Sequence, residues 1–289
     1  MNRLFAAVSV LLCWVIIDIG TAKALCPEKM VSYWELNEDA MSQNFGGYFD
    51  ETGHANTASC STGCPIISTQ GAVDNSQMFN GINTGIDAPA NSNYDFGSSD
   101  NFSIELWIKR SPGISSREIL IGRKDARTSM QWWLSVNASG KAAFSLTSTG
   151  GESKLIEGNK TLDNTKWHHI AVVRDAENRE NRLYVDGTLE ASENIIYNAS
   201  YKSTAPINIG YLDEGTPDHF FSGLMDEIAI YRRVLTINEI KMHYYLSRGY
   251  CTSYDQYRGH RNGNDEPVKI MPLGDSITYD SHSNETRTA

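Results

Sequence analysis

Cationic residues are in short supply in this chain. Twenty-five Lys and Arg stand against 35 Asp and Glu, for a formal net charge of −10. A surface of that balance repels phosphate backbones and anionic bilayers, so neither nucleic acid nor a membrane surface is expected as a partner. Long apolar runs are equally scarce. The one present, Leu4 to Ile19, is interrupted by Asp18 and falls short of the roughly 20 residues a spanning helix requires. It follows the basic start Met1-Asn2-Arg3 and precedes Ala22-Lys23-Ala24, a small-x-small cleavage site, so residues 1–24 read as a secretion signal and Leu25 as the mature start. Lys23 and Leu25 ahead of Cys26 do not fit a lipobox. The signal takes with it two cations (Arg3, Lys23) and one anion (Asp18), leaving −11 on the mature chain, a balance compatible with a bound metal cation.

Cysteine is sparse and has no zinc-site spacing. Cys13 leaves with the signal, and no second paired motif or His cluster completes four ligands around the remaining Cys26, Cys60, Cys64 and Cys251. An even number of cysteines in an exported chain reads as disulfides, with three possible pairings. The preferred pairing is Cys26–Cys251, which clamps the two ends of the intervening region, with Cys60–Cys64, which closes the small loop Ser61-Thr62-Gly63. Also lacking on the expected strands are two carboxylates at Glu-x-Asp or Glu-x-x-x-Glu spacing. Retaining glycoside hydrolysis needs such a pair about 5–5.5 Å apart, so that chemistry is disfavoured.

What is present is a succession of short alternating runs. Met30 to Leu36, Phe102 to Ile108 and Leu183 to Val185 alternate at period two, and Glu118–Gly122, Trp132–Val136, Ala142–Thr147 and His169–Val173 read as further strands. Asn80-Gly81, Ser139-Gly140, Gly150-Gly151 and Asp186-Gly187 punctuate them, the last as a strong hairpin signal ahead of Thr188-Leu189-Glu190. Many short strands with frequent turns predict a two-sheet antiparallel sandwich, all-β in class. One short helix is expected near the end. Thr236 and Glu239 form a capping box, Ile237, Ile240 and Tyr244 share a face, and Gly249 stands where a stop belongs. The polar stretch 252–267 reads as a linker.

Trp107, Trp167 and Tyr184 are expected as core aromatics. His168 and His169 point to opposite sides of a strand and cannot grip one ion together. Of Trp132 and Trp133, one should enter the core and the other face outward, where an indole can stack on the apolar face of a sugar. Asn-x-Ser/Thr triplets stand at Asn101, Asn137, Asn159, Asn198 and Asn284. They matter only in a eukaryotic secretory pathway.

Three ordered stretches carry a resemblance. They are Ala72 to Gly81 leading into Phe102 to Lys109, Lys166 to Arg174 followed by Leu183 to Gly187, and Gly223 to Tyr231 followed by Leu235 and Glu239-Ile240. Together they resemble the laminin-G-like, concanavalin A-like jelly rolls of bacterial extracellular proteins, over residues 25–251. The resemblance implies a jelly-roll sandwich and a structural calcium where the first and last strands meet. The matching positions here are Glu38, Asn80, Gly81 and above all Asp226, oxygen donors of the kind a hard cation takes. A second resemblance covers residues 268–289. Val268 to Leu273 followed by Gly274-Asp275-Ser276 is similar to the first block of the SGNH (GDSL-type) hydrolases. It implies a nucleophilic Ser276 at the end of a first strand, whose His and Asp partners come from a later block not seen before Ala289. The expectation is a secreted module that binds a glycan or cell-surface polysaccharide and targets an attached esterase, incomplete and inactive in this chain. The alternatives are a serine esterase in the full-length parent, and a structural or adhesion spacer.

Overall fold

Alternating strands have one face to bury, and a second layer must cover it. The computed structural model describes residues 26–251 apart from 44, 61–62, 114, 163–164, 214–216 and 247–249. The signal, the linker, the hydrolase-like block with Ser276, Asn284 and the helix stop at Gly249 lie outside the described residues. In chain order the elements are β1 (Met30–Trp34), β2 (Ile66–Ser68), β3 (Ser76–Asn80), β4 (Ile86–Ala88), a 3-10 turn (Ser92–Tyr94), β5 (Phe102–Arg110), β6 (Glu118–Lys124), β7 (Gln131–Val136), β8 (Lys141–Thr147), β9 (Ser153–Thr161), β10 (His168–Asp175), β11 (Glu180–Val185), β12 (Thr188–Asn194), β13 (Ile207–Ile209), β14 (Leu212–Asp213), β15 (Pro217–Asp218), β16 (Ser222–Tyr231) and the helix α1 (Ile237–Leu246).

Eight strands form one antiparallel sheet in the order β12-β11-β10-β5-β16-β3-β2, with β1 also paired to β16. The ten-residue β16 serves two partners on one side, β3 along its first half and β1 along its second. Six strands form the other sheet, β4-β13-β6-β7-β8-β9, and β14-β15 make a small ribbon. This is the expected all-β two-sheet sandwich with one short C-terminal helix.

The main core lies between the sheets. Ile104, Leu106, Ile170, Val172, Ile228 and Ile230 of the larger sheet meet Leu120, Trp132, Leu134, Phe144 and Leu146 of the smaller. Each such side chain contributes about 1.5–3 kcal/mol by leaving water. A second core forms on the larger sheet's other face, where Trp107, Ala171, Val173, Tyr184 and Tyr231 pack beneath Ile240 of α1. Trp107 and Tyr184 are therefore core aromatics, and Trp167 packs partly buried against the same cluster. Covered on both sides, β10 is buried along its whole length.

The turns follow their chemistry. Asp186 (φ 49°) and Gly187 (φ 71°) are both left-handed, as a two-residue hairpin between β11 and β12 requires. The capping box forms as read: the Thr236 N–H donates to Glu239 Oε2 at 2.8 Å, and the Glu239 N–H donates back to Thr236 Oγ1 at 3.2 Å. Of the three apolar residues assigned to one helix face, Ile240 is buried, Tyr244 stacks on Trp107 at 5.9 Å, and Ile237 at the first turn stays 38% exposed. Both disulfides, Cys26–Cys251 and Cys60–Cys64, are present. No helix among the described residues is long and apolar enough to cross a membrane.

Candidate functional site

The outer face of the six-stranded sheet is built by simple alternation. On β7, Trp132, Leu134 and Val136 enter the core, so Gln131, Trp133 and Ser135 face out; on β8, Ala142, Phe144 and Leu146 enter it, so Ala143, Ser145 and Thr147 face out. Strand register aligns these into rows. One row runs straight across the sheet as Asp87, Asn208, Gly122, Trp133, Ser145 and Leu155. The next runs Lys124, Gln131, Thr147 and Ser153.

Gly122 is fixed by what lies over it. A Cβ there would meet Leu212 Cδ1 at 2.9 Å and Trp133 Cβ at 3.0 Å. The missing side chain lets Leu212 settle beside Trp133, completing an apolar island with Ile119 and Ala143. Polar groups flank the island on one side. Asn208 Nδ2 donates to Asp87 Oδ1 at 2.9 Å, Tyr211 OH donates to the same oxygen at 2.5 Å, and the Asp213 N–H donates to Asn208 Oδ1 at 3.0 Å. Beyond Asn208 a cleft of about 310 Å³ opens, lined among others by Lys124, Arg127, Thr204, Pro206, Asn208 and Asp213. Charges of both signs, an amide and a hydroxyl converge there beside an apolar wall, the makings of a site for a hydroxyl-rich ligand. On the far side of the island the Arg117 guanidinium lies over the Trp133 ring, 4.8 Å from its centroid.

The two tryptophans expected to offer a stacking platform split as alternation requires. Trp132 is in the core, 1% exposed. Trp133 faces out but is only 8% exposed, lying beneath Arg117 and beside Leu212.

The four positions matched to calcium are not gathered. Glu38 Oε1 accepts from the Phe49 N–H at 2.7 Å, and its carbonyl accepts from Gln77, which shares the inner face of β3 with Phe79. The Asn80 side chain accepts from the N–H groups of Ile82 and Asn83, and Gly81 donates to Phe221 O. Asn80 pairs with Ser222, four residues along β16 from Asp226, a span of about 13 Å. Asp226 instead sits beside Glu227 on a bulge, where the β16–β5 register slips and Glu227 takes a φ of 54°. Asp226 Oδ2 accepts from the Ala72 and Val73 N–H groups at 2.8 and 3.0 Å, and Glu227 Oε2 accepts from Tyr33 OH at 2.5 Å. The remaining oxygens, Asp226 Oδ1 and Glu227 Oε1, are buried without a hydrogen-bond partner. Burial pushes the Asp226 carboxyl up to about 8, and burial with the adjacent Asp226 raises Glu227 well above the usual range. Two orphaned carboxylate oxygens suit a hard cation. The described residues hold no cluster of three or more His, Cys, Asp or Glu placed to grip a metal, so much of any calcium shell would come from backbone carbonyls and water.

A buried polar cluster that the pattern did not reveal lies under α1. Glu105, fully buried on β5, accepts from Tyr231 OH at 2.6 Å and pairs with His169 Nε2 at 3.1 Å and His243 Nδ1 at 2.9 Å. Burial alone would raise the Glu105 carboxyl, but the two imidazoles outweigh it and hold it far below the usual range. Burial alone would depress His243, but Glu105 outweighs it and lifts the imidazole. His168, by contrast, pairs with Asp186 at 2.8 Å, so each histidine of the pair has its own carboxylate.

Comparison with known proteins places this architecture. The family of laminin G type described as the concanavalin A-like lectin/glucanases superfamily matches residues 80–241. No curated protein sequence matches. Similar solved structures include the binding domain of Paraclostridial Mosquitocidal Protein 1 (16% identity, TM-score 0.59, 75% of this chain and 52% of that one). Another is the binding domain of botulinum neurotoxin serotype G (18% identity, TM-score 0.57, 75% and 51%). A third is domain 4 of an extracellular arabinanase from Geobacillus stearothermophilus, in complex with arabinotriose (18% identity, TM-score 0.55, 74% and 97%). The chain thus spans about half the length of the two toxin domains and nearly all of the arabinanase domain. At these identities the likeness is one of fold.

Proposed function

Because the chain belongs to the concanavalin A-like lectin/glucanases superfamily, we propose that its sandwich is a saccharide-binding module whose ligand lies across the outer face of the six-stranded sheet. The observation that carries this reading is the cleft at Lys124, Asn208 and Asp213, adjoining the row that leads to Trp133. The arabinanase domain's complex with arabinotriose supports an oligosaccharide as the class of ligand. The test is calorimetric titration with a panel of oligosaccharides. Lys124→Ala and Asp213→Ala should each weaken binding by about three- to tenfold, the equivalent of one lost hydrogen bond, with unchanged melting temperature. Full affinity in both variants would remove the ligand from this face, and binding to nothing would favour a spacer.

The module's service is targeting. The two disulfides support action outside the cell, and the acidic balance supports neither nucleic acid nor anionic membranes as partners. The enzyme it would deliver is a serine esterase of the SGNH type, with Ser276 as nucleophile. A longer gene product should hydrolyse acyl esters and lose that activity in Ser276→Ala. Calcium is the metal proposed for the bulge, held through Asp226 and Glu227, where it would supply the positive charge that two adjacent buried carboxylates need.

A further inference from the structure

Arg117 is the unanswered cation of this face. Elsewhere the fold meets several arginines with carboxylates, Arg110 with Glu118, Arg123 with Asp95 and Arg182 with Asp175, and buried Arg174, which also lies over a ring, with Asn181 Oδ1 and the Ile195 carbonyl. Among the described residues Arg117 has neither a hydrogen-bond nor an ion-pair partner, and its contact is the Trp133 ring beneath it. The carboxylates at neighbouring positions of the sheet are engaged, Glu118 by Arg110 and the Ser222 N–H, Glu157 by Asn137. A guanidinium presents a planar fork that matches a carboxylate with two parallel hydrogen bonds. The 4.8 Å contact of Arg117 with the indole restrains its guanidinium before any ligand arrives and removes part of the rotamer freedom a free arginine would lose on binding.

We infer that the saccharide is acidic, and that Arg117, seated on Trp133, receives the carboxylate of a uronic acid residue. The inference rests on the saccharide-binding reading above and adds its chemical class. Trp133 is then a positioning residue: it lies under the arginine instead of under a sugar, which accounts for an outward-facing tryptophan with so little of its surface open. The side chain of Arg117 is only partly buried, so its attraction for a carboxylate should weaken as salt screens it.

The experiment titrates the protein with short oligosaccharides carrying a single uronic acid (galacturonic, mannuronic or glucuronic), each paired with its carboxyl-reduced or methyl-esterified counterpart, alongside neutral arabino-oligosaccharides, so that one carboxylate is read without the repulsion a polyanion would meet on this acidic surface. The expected result is a preference of about ten- to a hundredfold for at least one acidic form over its neutral counterpart, diminishing with added salt. Arg117→Gln should abolish that preference, while Arg117→Lys, which keeps the charge but not the fork, should fall between. Equal binding of acidic and neutral forms, or an undiminished preference in Arg117→Gln, overturns the inference. Binding of neutral glycans alone overturns it and leaves the module reading standing, whereas binding of none overturns both.

Discussion

Glu105 shows how far one residue can depart from its pattern. In the run Phe102 to Ile108 it occupies a polar alternate position, which in an ordinary half-buried strand faces water. Here α1 covers that face, so the carboxylate is enclosed with His169, His243 and Tyr231. The strand period was legible, but which face would be covered depended on where a distant helix came to rest. The linkage has two signs. Glu105 has a lowered folded pKa, so its contribution is present above the ordinary carboxylate value of 4.5 and is lost as pH falls through the lowered one. His243 has a raised folded pKa, so its contribution is complete below 6.5 and is lost as pH climbs through the raised value. Together they favour the native state most between about 4.5 and 6.5. His243→Gln should cost about 1–3 kcal/mol at pH 6 and flatten the decline in melting temperature on the alkaline side. Parallel curves for the two proteins would show that this pair does not govern the decline. The calcium proposal is read at the same scale. Millimolar calcium should raise the melting temperature by mass action and have no effect on Asp226→Ala; an unmoved wild-type melt would dismiss the ion. Asp226 could be singled out in sequence, yet its companions could not, because the bulge that brings Glu227 to its side leaves no mark in the alternation.

Elements were legible in proportion to their apolar content. The buried strands β5, β7, β8 and β10 stand close to their sequence limits. The nine-residue β9 was invisible, since Ser153–Thr161 holds Gly158, Asn159 and two lysines, residues depleted in strands, and Ile156 is its one buried large side chain. It is a strand because β8 offers it an edge. The short β13 owes its place to Ile207 and Ile209 in the core, and its outward Asn208 joined the candidate site with no sequence signal to announce it. Arg117 escaped notice likewise, because no local pattern says which arginine will lack a partner. The helix is the opposite case, as its start was written in Thr236 and Glu239. At ten residues it is too short to persist alone. It depends on that cap and on Ile240, His243 and Tyr244 against the larger sheet. Thr236→Ala should lower stability by about 1 kcal/mol, seen as a lower urea midpoint at constant slope. An unchanged midpoint would mean that the first turn frays in the native state.

For the whole molecule, two sheets could be read from the strands but their order could not. β16 lies between β5 and β3, next to strands more than a hundred residues away in sequence, and only the three-dimensional fold supplies such neighbours. The clamp on that fold is Cys26–Cys251, with a sequence separation of 225. In the chain-entropy treatment closing so large a loop contributes about 5 kcal/mol. Cys26→Ser with Cys251→Ser should therefore melt well below the parent, whereas Cys60→Ser with Cys64→Ser, which opens a far smaller loop, should melt closer to it. Similar losses in both would show that the length of the closed loop does not set the clamp's contribution. The same bond also decides how the protein carries force. A pull applied through the segments on either side of residues 26 and 251 runs from one sulfur to the other and bypasses every strand, so tension passed along the chain through this domain does not unfold it. In single-molecule stretching by its ends the oxidised domain should stay inextensible, and reduction should release on the order of 75 nm of hidden chain.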